Sequence, residues 1–391
     1  MLTSPSSGAD QLYLDANATE PLRPAARAAL IAALDQRGNP ASIHADGRSA
    51  RRCLEAARAN VAVCFDSRPQ DVVFCSGATE ANAMAIHGFG AGRPIVIGAT
   101  EHDAVRAAAP GAAIMPVDGA GLADLAWLDA TLATMPDALV CVMAANNETG
   151  VVSPIEQVAA ICASRAALLH VDAVQAAGRI SIDYLAIGVT SVAISAHKLG
   201  GPKGVGALIL APRVSAGLTA LIAGGGQERG QRGGTQDLPA IAGFAAALDV
   251  DANAEGLRVA ILRDAIEAGA RELGAIVVGA GAPRLPNTTC LALPGLAAET
   301  QVIALDLAHI SVSAGSACSS GKVGRSHVLT AMGLDDLAGC AIRVSLPWNA
   351  PDDAPVRFLA AYRRLAARAL HKRGGFSNSR DEQVPVVPSL V

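Results

Sequence analysis

Aromatic residues make up only 3% of the 391-residue chain and charged residues only 17%. With so few aromatics, an apolar core has to be assembled from Ala, Val, Leu and Ile. An excess of positive charge is also missing, since the formal net charge is −4. No basic field exists for phosphate backbones or anionic lipid, so neither nucleic acid nor a membrane is expected as a partner. No uninterrupted apolar run approaches the ~18–20 residues of a membrane span. The opening MLTSPSSGAD has neither the basic nor the apolar region of a secretory signal. Eight cysteines in so long a chain are too sparse for a disulfide scaffold, and there is no C-x-x-C pair or Cys/His cluster at metal-site spacing. A soluble, cytoplasmic protein without a metal site is the expectation.

What the chain has in quantity is small and aliphatic. Hydrophobic residues reach 51% and glycines number 39, which excludes disorder over most of the length and, at about 100–200 residues per domain, allows two or three domains. Short β-branched runs alternate with Ala-rich helical stretches through the first 250 residues, predicting an α/β fold with a mainly parallel sheet covered by helices on both faces. Strands are predicted at 71–75, 94–98, 138–144, 167–171, 191–195 and 205–210, and helices at 49–63, 79–88 and 155–166. A Gly-rich, charged stretch follows at 224–237, GGGQERGQRGGTQD, read as a functional loop. Beyond it, a helix over 254–273, strands at 275–278, 289–293, 310–312 and 341–345, and a helix over 298–307 suit a smaller α+β domain. The last twenty or so residues have little to pack and are expected to fray.

Polar residues repeatedly follow the apolar strands directly, at the carboxyl ends where open α/β sheets bind ligands. After VVFC comes Ser76-Gly77-Ala78-Thr79-Glu80, a small turn opening a helix and able to seat a phosphate on its N–H groups; an ordinary N-cap is the alternative. Thr100-Glu101-His102, Asn146-Asn147-Glu148, and Asp172 with Gln175 one turn on follow three further strands. An acid at the end of an apolar strand needs a partner, because desolvating a lone carboxylate is prohibitive. After SVAIS, Lys198 leaves in a tight Gly/Pro-bounded hairpin, where partial desolvation lowers the pKa of its amine; the alternative is a lysine reaching to solvent. A lysine, an acid, an anion seat and a stacking-capable His102 at neighbouring strand ends together match the needs of pyridoxal phosphate.

The motifs carrying a family resemblance are YLDANAT (13–19), GNPASIHADGR (38–48), SGATEANA (76–83), TEHDAV (100–105), NNETGVV (146–152), HVDAVQAAG (170–178), SAHKLGGPKGVGAL (195–208), GGGQERGQRGGT (224–235), SAGSACSSG (313–321) and IRVSL (342–346). In this order and spacing the chain resembles the class V aminotransferases that use pyridoxal phosphate, specifically the cysteine desulfurases of the nitrogenase-type and iron–sulfur-assembly kind. The resemblance implies fold type I, like aspartate aminotransferase, with a large cofactor-binding domain at 20–255, a small domain of 1–19 plus 256–370, and a flexible tail at 371–391. It implies that Lys198 holds the cofactor as a Schiff base and moves the substrate Cα proton. Asp172 would pair with the ring nitrogen, Gln175 with the ring hydroxyl oxygen, and His102 would stack on the ring and, as a catalytic residue, move protons. Ala78, Thr79, Ser195 and His197 would hold the phosphate, with Thr235 reaching the cofactor of the partner subunit in a homodimer. Asn147 and Arg343 would bind the substrate carboxylate.

Cys318 sits among small residues with no packing content, which favours an exposed thiol. In the implied reaction its thiolate takes sulfur from L-cysteine, leaving an enzyme persulfide and L-alanine, and passes the sulfur to an acceptor protein, an iron–sulfur scaffold or a sulfur carrier. A selenocysteine lyase or an aminotransferase is the alternative within the fold; plain aminotransferases do not need such a cysteine. Asn17 and Glu20 stand where relatives often carry other small or hydroxyl residues, and Gln227 where many housekeeping members carry His.

Overall fold

The computed structural model describes residues 11–215, 217–315 and 324–374, with side chains to 367. Its centre is a seven-stranded sheet in the spatial order Val72–Cys75, Gly206–Leu210, Ser191–Ser195, Leu168–Asp172, Leu139–Met143, Ile95–Gly98 and Ala113–Met115. Gly206–Leu210 runs antiparallel to both its neighbours, and the remaining neighbouring pairs are parallel. The exception has a local cause: only a short hairpin containing Lys198 separates Ser191–Ser195 from Gly206–Leu210, and a hairpin joins antiparallel strands.

Side chains alternate between two buried faces. Val72, Phe74, Val140 and Val142 belong to one apolar cluster, while Val73, Cys75, Leu139 and Cys141 belong to another on the opposite side. A strand covered on both faces has no polar side to show, which is why these segments read as continuous apolar runs. The helix Pro24–Leu34, which the sequence pattern did not reveal, packs on Leu238–Ala247. The approach is close: a Cβ at Gly243 would lie 2.8 Å from Pro202 and 3.0 Å from the Ala26 carbonyl oxygen.

A second body is built on a four-stranded sheet, Ser313–Ala314, Ala341–Ser345, Thr288–Ala292 and Ile276–Val278, antiparallel throughout. The helices Ala252–Glu272 and Ala354–Gly374 cover it, the latter running past the predicted boundary at 370. Leu12 and Leu14 share this core with Ile266, Phe358 and Tyr362. The single strand expected at 310–312 is instead two pieces: Ile310–Ser311 pairs in parallel with Leu12–Tyr13, and Ser313–Ala314 joins the antiparallel sheet. From there the N-terminal segment crosses to the large sheet, Ala16 N–H donating to Ser345 O at 3.0 Å and Glu20 N–H to His197 O at 2.8 Å. Among the described residues no helix is long and apolar enough to cross a membrane.

Candidate active site

The carboxyl ends of the central strands open into a cavity of about 850 Å³. Its wall includes Ala78, Thr79, His102, Asn147, Asp172, Gln175, Ser195, His197, Lys198 and Arg343. These residues span the chain from position 78 to 343: the large sheet brings most of them to one edge, and Arg343 comes from the antiparallel sheet of the second body. Thr235 is exposed and does not line this cavity. Cys318 lies outside the described residues, but Gly315 before it and His327 after it are both on the wall.

Lys198 ends a short 3-10 turn, Ala196–Lys198, immediately after the strand Ser191–Ser195. Its Nζ donates to the carbonyl oxygens of Asn17 at 2.5 Å and Ala18 at 3.0 Å. Burial, reinforced by Arg343 and Arg179, lowers its pKa to about 7, so near neutrality much of the amine is a free base. Asp172 is the last residue of its strand and 6% exposed. Burial pushes its carboxyl above the ordinary range. Asn82 Nδ2 donates to Oδ2 at 2.7 Å and Val174 N–H to Oδ1 at 3.0 Å, yet among the described residues it forms no ion pair.

The turn from Val72–Cys75 into the helix Ala78–Gly90 brings backbone N–H groups to the cavity, since the first turn of a helix has no internal acceptors for them. Gly77 has φ 152° and ψ −179°, a region closed to other residues. Its neighbour across the sheet must also be glycine, because a Cβ at Gly206 would lie 2.7 Å from Gly77 Cα. Ser195 and His197 close the seat from the adjoining strand end. Burial and the nearby Lys198 and Lys203 lower the pKa of His197 to about 4, so the ring is neutral. Its Nδ1 lies 3.2 Å from Thr19 Oγ1.

At the opposite side Arg343, 5% exposed, donates from Nη2 to Asp15 Oδ1 at 2.7 Å and from Nη1 to Asn147 O at 3.1 Å. Among the described residues its Nε is buried without a partner, an unmet donor where an acceptor is called for. His102 caps the helix Asp103–Ala108, its Nδ1 accepting from Ala104 N–H at 3.1 Å, with the ring on the cavity side.

Several residues that single-sequence reasoning did not assign complete the site. His170 Nε2 lies 2.8 Å from Asn82 Oδ1, and its Nδ1 lies 2.8 Å from Ser191 Oγ. Because Asn82 gives its N–H to Asp172, its oxygen must accept from His170, which fixes the tautomer and anchors the acid. Burial lowers the pKa of His170 to about 4, in keeping with that neutral relay. Glu148, 2% exposed, accepts from Ser326 Oγ at 2.5 Å and is pushed up by burial. The only sequence signals were positional: Asn82 one helical turn past the anion seat, His170 two residues before Asp172, and Glu148 ending the Asn-Asn-Glu run.

The profile of the class V aminotransferases (Aminotransferase class-V) matches residues 12–353. The chain belongs to this family. A cysteine desulfurase of Cereibacter sphaeroides is 41% identical over 354 residues, covering 86% of this chain and 91% of its own. One from Homo sapiens is 36% identical over 354 residues, 86% of this chain and 77% of that protein. Among solved structures, a NifS-like protein from Rickettsia africae superposes with a TM-score of 0.85 at 33% identity, covering 91% of this chain and 99% of that one. The family's architecture is fold type I, and its cofactor, hence that of this chain, is pyridoxal phosphate.

The class V site as built here fits that cofactor on its own chemistry. A protonated ring nitrogen would supply the cation Asp172 lacks, the helix N-terminus at Ala78–Gly90 would suit a phosphate, and Lys198 would offer a free-base amine to an aldehyde.

Proposed function

We propose that the protein is a cysteine desulfurase that takes the sulfur of L-cysteine onto Cys318 and releases L-alanine. The observation that carries this reading is the single cavity joining Lys198, Asp172 and the Gly77 turn to Arg343 and to both flanks of the Cys318 segment, Gly315 and His327. Relatives named as cysteine desulfurases, which match most of this chain, support it.

Pyridoxal phosphate, when bound, supplies an electron-accepting ring that stabilises negative charge at the substrate Cα. Asp172, braced by Asn82 and His170, holds a proton on the ring nitrogen. Gln175 donates to the ring oxygen and His102 covers the ring face. Ala78, Thr79, Ser195 and His197 bind the phosphate. Arg343, with Asn147, takes the substrate carboxylate and so aims the Cα–H bond at Lys198, whose neutral amine removes that proton and later returns one. The Cys318 thiolate attacks the substrate sulfur. An S–S bond forms as the C–S bond breaks, the electron pair stays with the substrate carbon, and proton uptake there yields alanine. The thiol and L-cysteine thus become a persulfide and L-alanine, with no external oxidant.

The proposed assembly is a homodimer in which the exposed Thr235 reaches the partner's cofactor. The proposed division is a large domain at 20–255 and a small domain of 1–19 plus 256–370; the separate apolar clusters of the two bodies support it. The sulfur acceptor is an iron–sulfur scaffold or a sulfur carrier, and the compartment is the cytoplasm, where a reactive thiol stays reduced.

The deciding experiment is a product assay on protein reconstituted with pyridoxal phosphate. Equal amounts of alanine and sulfide should form from L-cysteine with a thiol reductant; turnover of selenocysteine without turnover of L-cysteine, assayed in parallel, would favour a selenocysteine lyase instead. Lys198→Ala should be colourless. Cys318→Ala should keep the visible band and release no sulfide. A wild-type protein that stays colourless refutes the cofactor assignment, and wild-type turnover in Cys318→Ala refutes the persulfide.

A further inference from the structure

Behind the cofactor cavity lies a buried ion pair that no step above uses. The side chains of Arg179 and Glu20 are 8% and 7% exposed, with Arg179 Nη2 donating to Glu20 Oε1 at 3.2 Å. Glu20 Oε2 in turn accepts from Trp348 N–H at 3.3 Å. The other guanidinium nitrogen, Nη1, donates to Gln175 Oε1 at 2.7 Å and to Gln175 O at 3.0 Å. On its far side the Gln175 amide donates from Nε2 to Asn17 O at 3.0 Å.

These partners leave the amide no freedom. An arginine has only donors and a backbone carbonyl only accepts, so both neighbours require the same orientation, oxygen toward Arg179 and nitrogen toward Asn17. Gln175 is 5% exposed and lies on the cavity wall. Among the described residues only one of its two N–H groups is bonded, and the second has an acceptor to find in the cavity. A charged donor on the amide oxygen also polarises the group and strengthens that N–H as a donor.

We propose that Arg179 is a positioning residue for the cofactor: braced by Glu20, it locks and polarises the Gln175 amide so that the free N–H is donated to the ring oxygen of pyridoxal phosphate. The proposal rests on the reading of Gln175 as the ring-oxygen donor. It gives the buried Glu20 a task. The carboxylate keeps a guanidinium charged that burial alone disfavours; Arg23 and Arg343 also face it with the same sign. Besides Lys198, Asp172 and His102, the cavity wall carries Glu80, Asp103, Glu148, His197, Lys203, His327 and Arg343 as charged or titratable groups; Arg179 hydrogen-bonds none of them, though its charge also acts on Lys198.

The consequence is spectroscopic. A strong donor stabilises the ring oxygen as an anion, so weakening it shifts the pH at which the visible band of the bound cofactor changes. In the holoenzyme, Arg179→Gln should move that midpoint upward by about one pH unit, the scale of a nearby charge or hydrogen bond. If Arg179→Gln leaves Glu20 unpaired and unfolds the protein, the double variant Glu20→Gln/Arg179→Gln removes both charges together and should show the same shift. Gln175→Ala should also raise the midpoint, and adding Arg179→Gln to it should add little. An unmoved midpoint in the Arg179 variants overturns the proposal. So does an equal shift with Gln175 already gone, because the charge would then act through space. Absence of any visible band in the wild type would refute the cofactor reading itself, which keeps the two failures distinct.

Discussion

The chemistry of Lys198 turns on one number. A lysine in water holds its proton far above neutrality, but burial, with Arg343 and Arg179 adding repulsion, brings this one to about 7. Only the neutral amine adds to an aldehyde. The rate at which added pyridoxal phosphate colours the apoprotein should therefore rise about tenfold per pH unit below that value and flatten above it. Stopped-flow absorbance across pH 5.5–9, taken here as about the accessible range for such amines, measures this directly. A rate still climbing in proportion to hydroxide at the upper end would mean an ordinary, solvated lysine. Lys198 and Asp172 were legible in the sequence because each follows an unbroken apolar strand, where a charge demands a reason. Arg179 and Asn82 were not, since their meaning lies in partners such as Glu20, 159 positions away, and Asp172, 90 positions away. No local pattern encodes such a pairing.

At the scale of elements, the Gly-rich loop shows how a segment without regular structure is held. Glu228 and Arg229 adopt left-handed φ of 45° and 57°, a strain that ordinary side chains accept only when the surroundings dictate it. Arg58 of the helix Ala45–Cys64 dictates it here: Nη1 and Nη2 donate to the two Glu228 oxygens at 2.6 and 2.9 Å. Phe74 N–H and Gln236 Nε2 complete the carboxylate shell at 2.9 and 2.8 Å. Arg232 ties the same loop to Glu80, in the first turn of the anion-seat helix, at 2.8 Å. Glu228→Gln would leave buried Arg58 with only the half-exposed Glu55, 3.2 Å from its Nε, as counter-charge, at a cost of at most about 3–5 kcal/mol. The pH dependence has a definite sign. The Arg58 hydrogen bonds and charge outweigh burial and hold Glu228 below its ordinary 4.5, so unfolded chains bind that proton more readily than folded ones. The pair stabilises fully above pH 4.5 and the benefit is lost as pH falls through the lower folded value. Urea unfolding of wild type and Glu228→Gln should thus differ most near neutrality and converge in acid; a gap independent of pH would show that the carboxylate charge is not what holds the loop.

For the whole molecule, the sequence exposed the central sheet far better than the joint between the two bodies. Buried strands announce themselves by composition, and each of the predicted ones from Val72–Cys75 to Gly206–Leu210 is present. The path of residues 15–20 did not, because beyond the short pairing of Leu12–Tyr13 its contacts are mostly single hydrogen bonds to distant elements. Asn17 is the clearest of them, 1% exposed. Its Nδ2 donates to Asn147 O, beyond the central strand Leu139–Met143, at 3.2 Å and to Thr288 Oγ1, in the four-stranded sheet, at 2.9 Å. Its Oδ1 accepts from Asn287 Nδ2 at 3.2 Å. One amide thus bonds both bodies at once, directly beneath the carbonyl that receives Lys198. Asn17→Ala removes those bonds and leaves a small void, a loss of about 1–3 kcal/mol concentrated at the joint rather than in either core. The two bodies have separate apolar clusters, so weakening the joint weakens their cooperation more than their individual stability. Calorimetry of the apoprotein should show the wild-type transition broaden or divide in Asn17→Ala, and pyridoxal phosphate, gripped from both sides, should draw the halves together again. An unchanged, single transition in the variant would place the coupling elsewhere, in backbone bonds such as that from Glu20 N–H to His197 O.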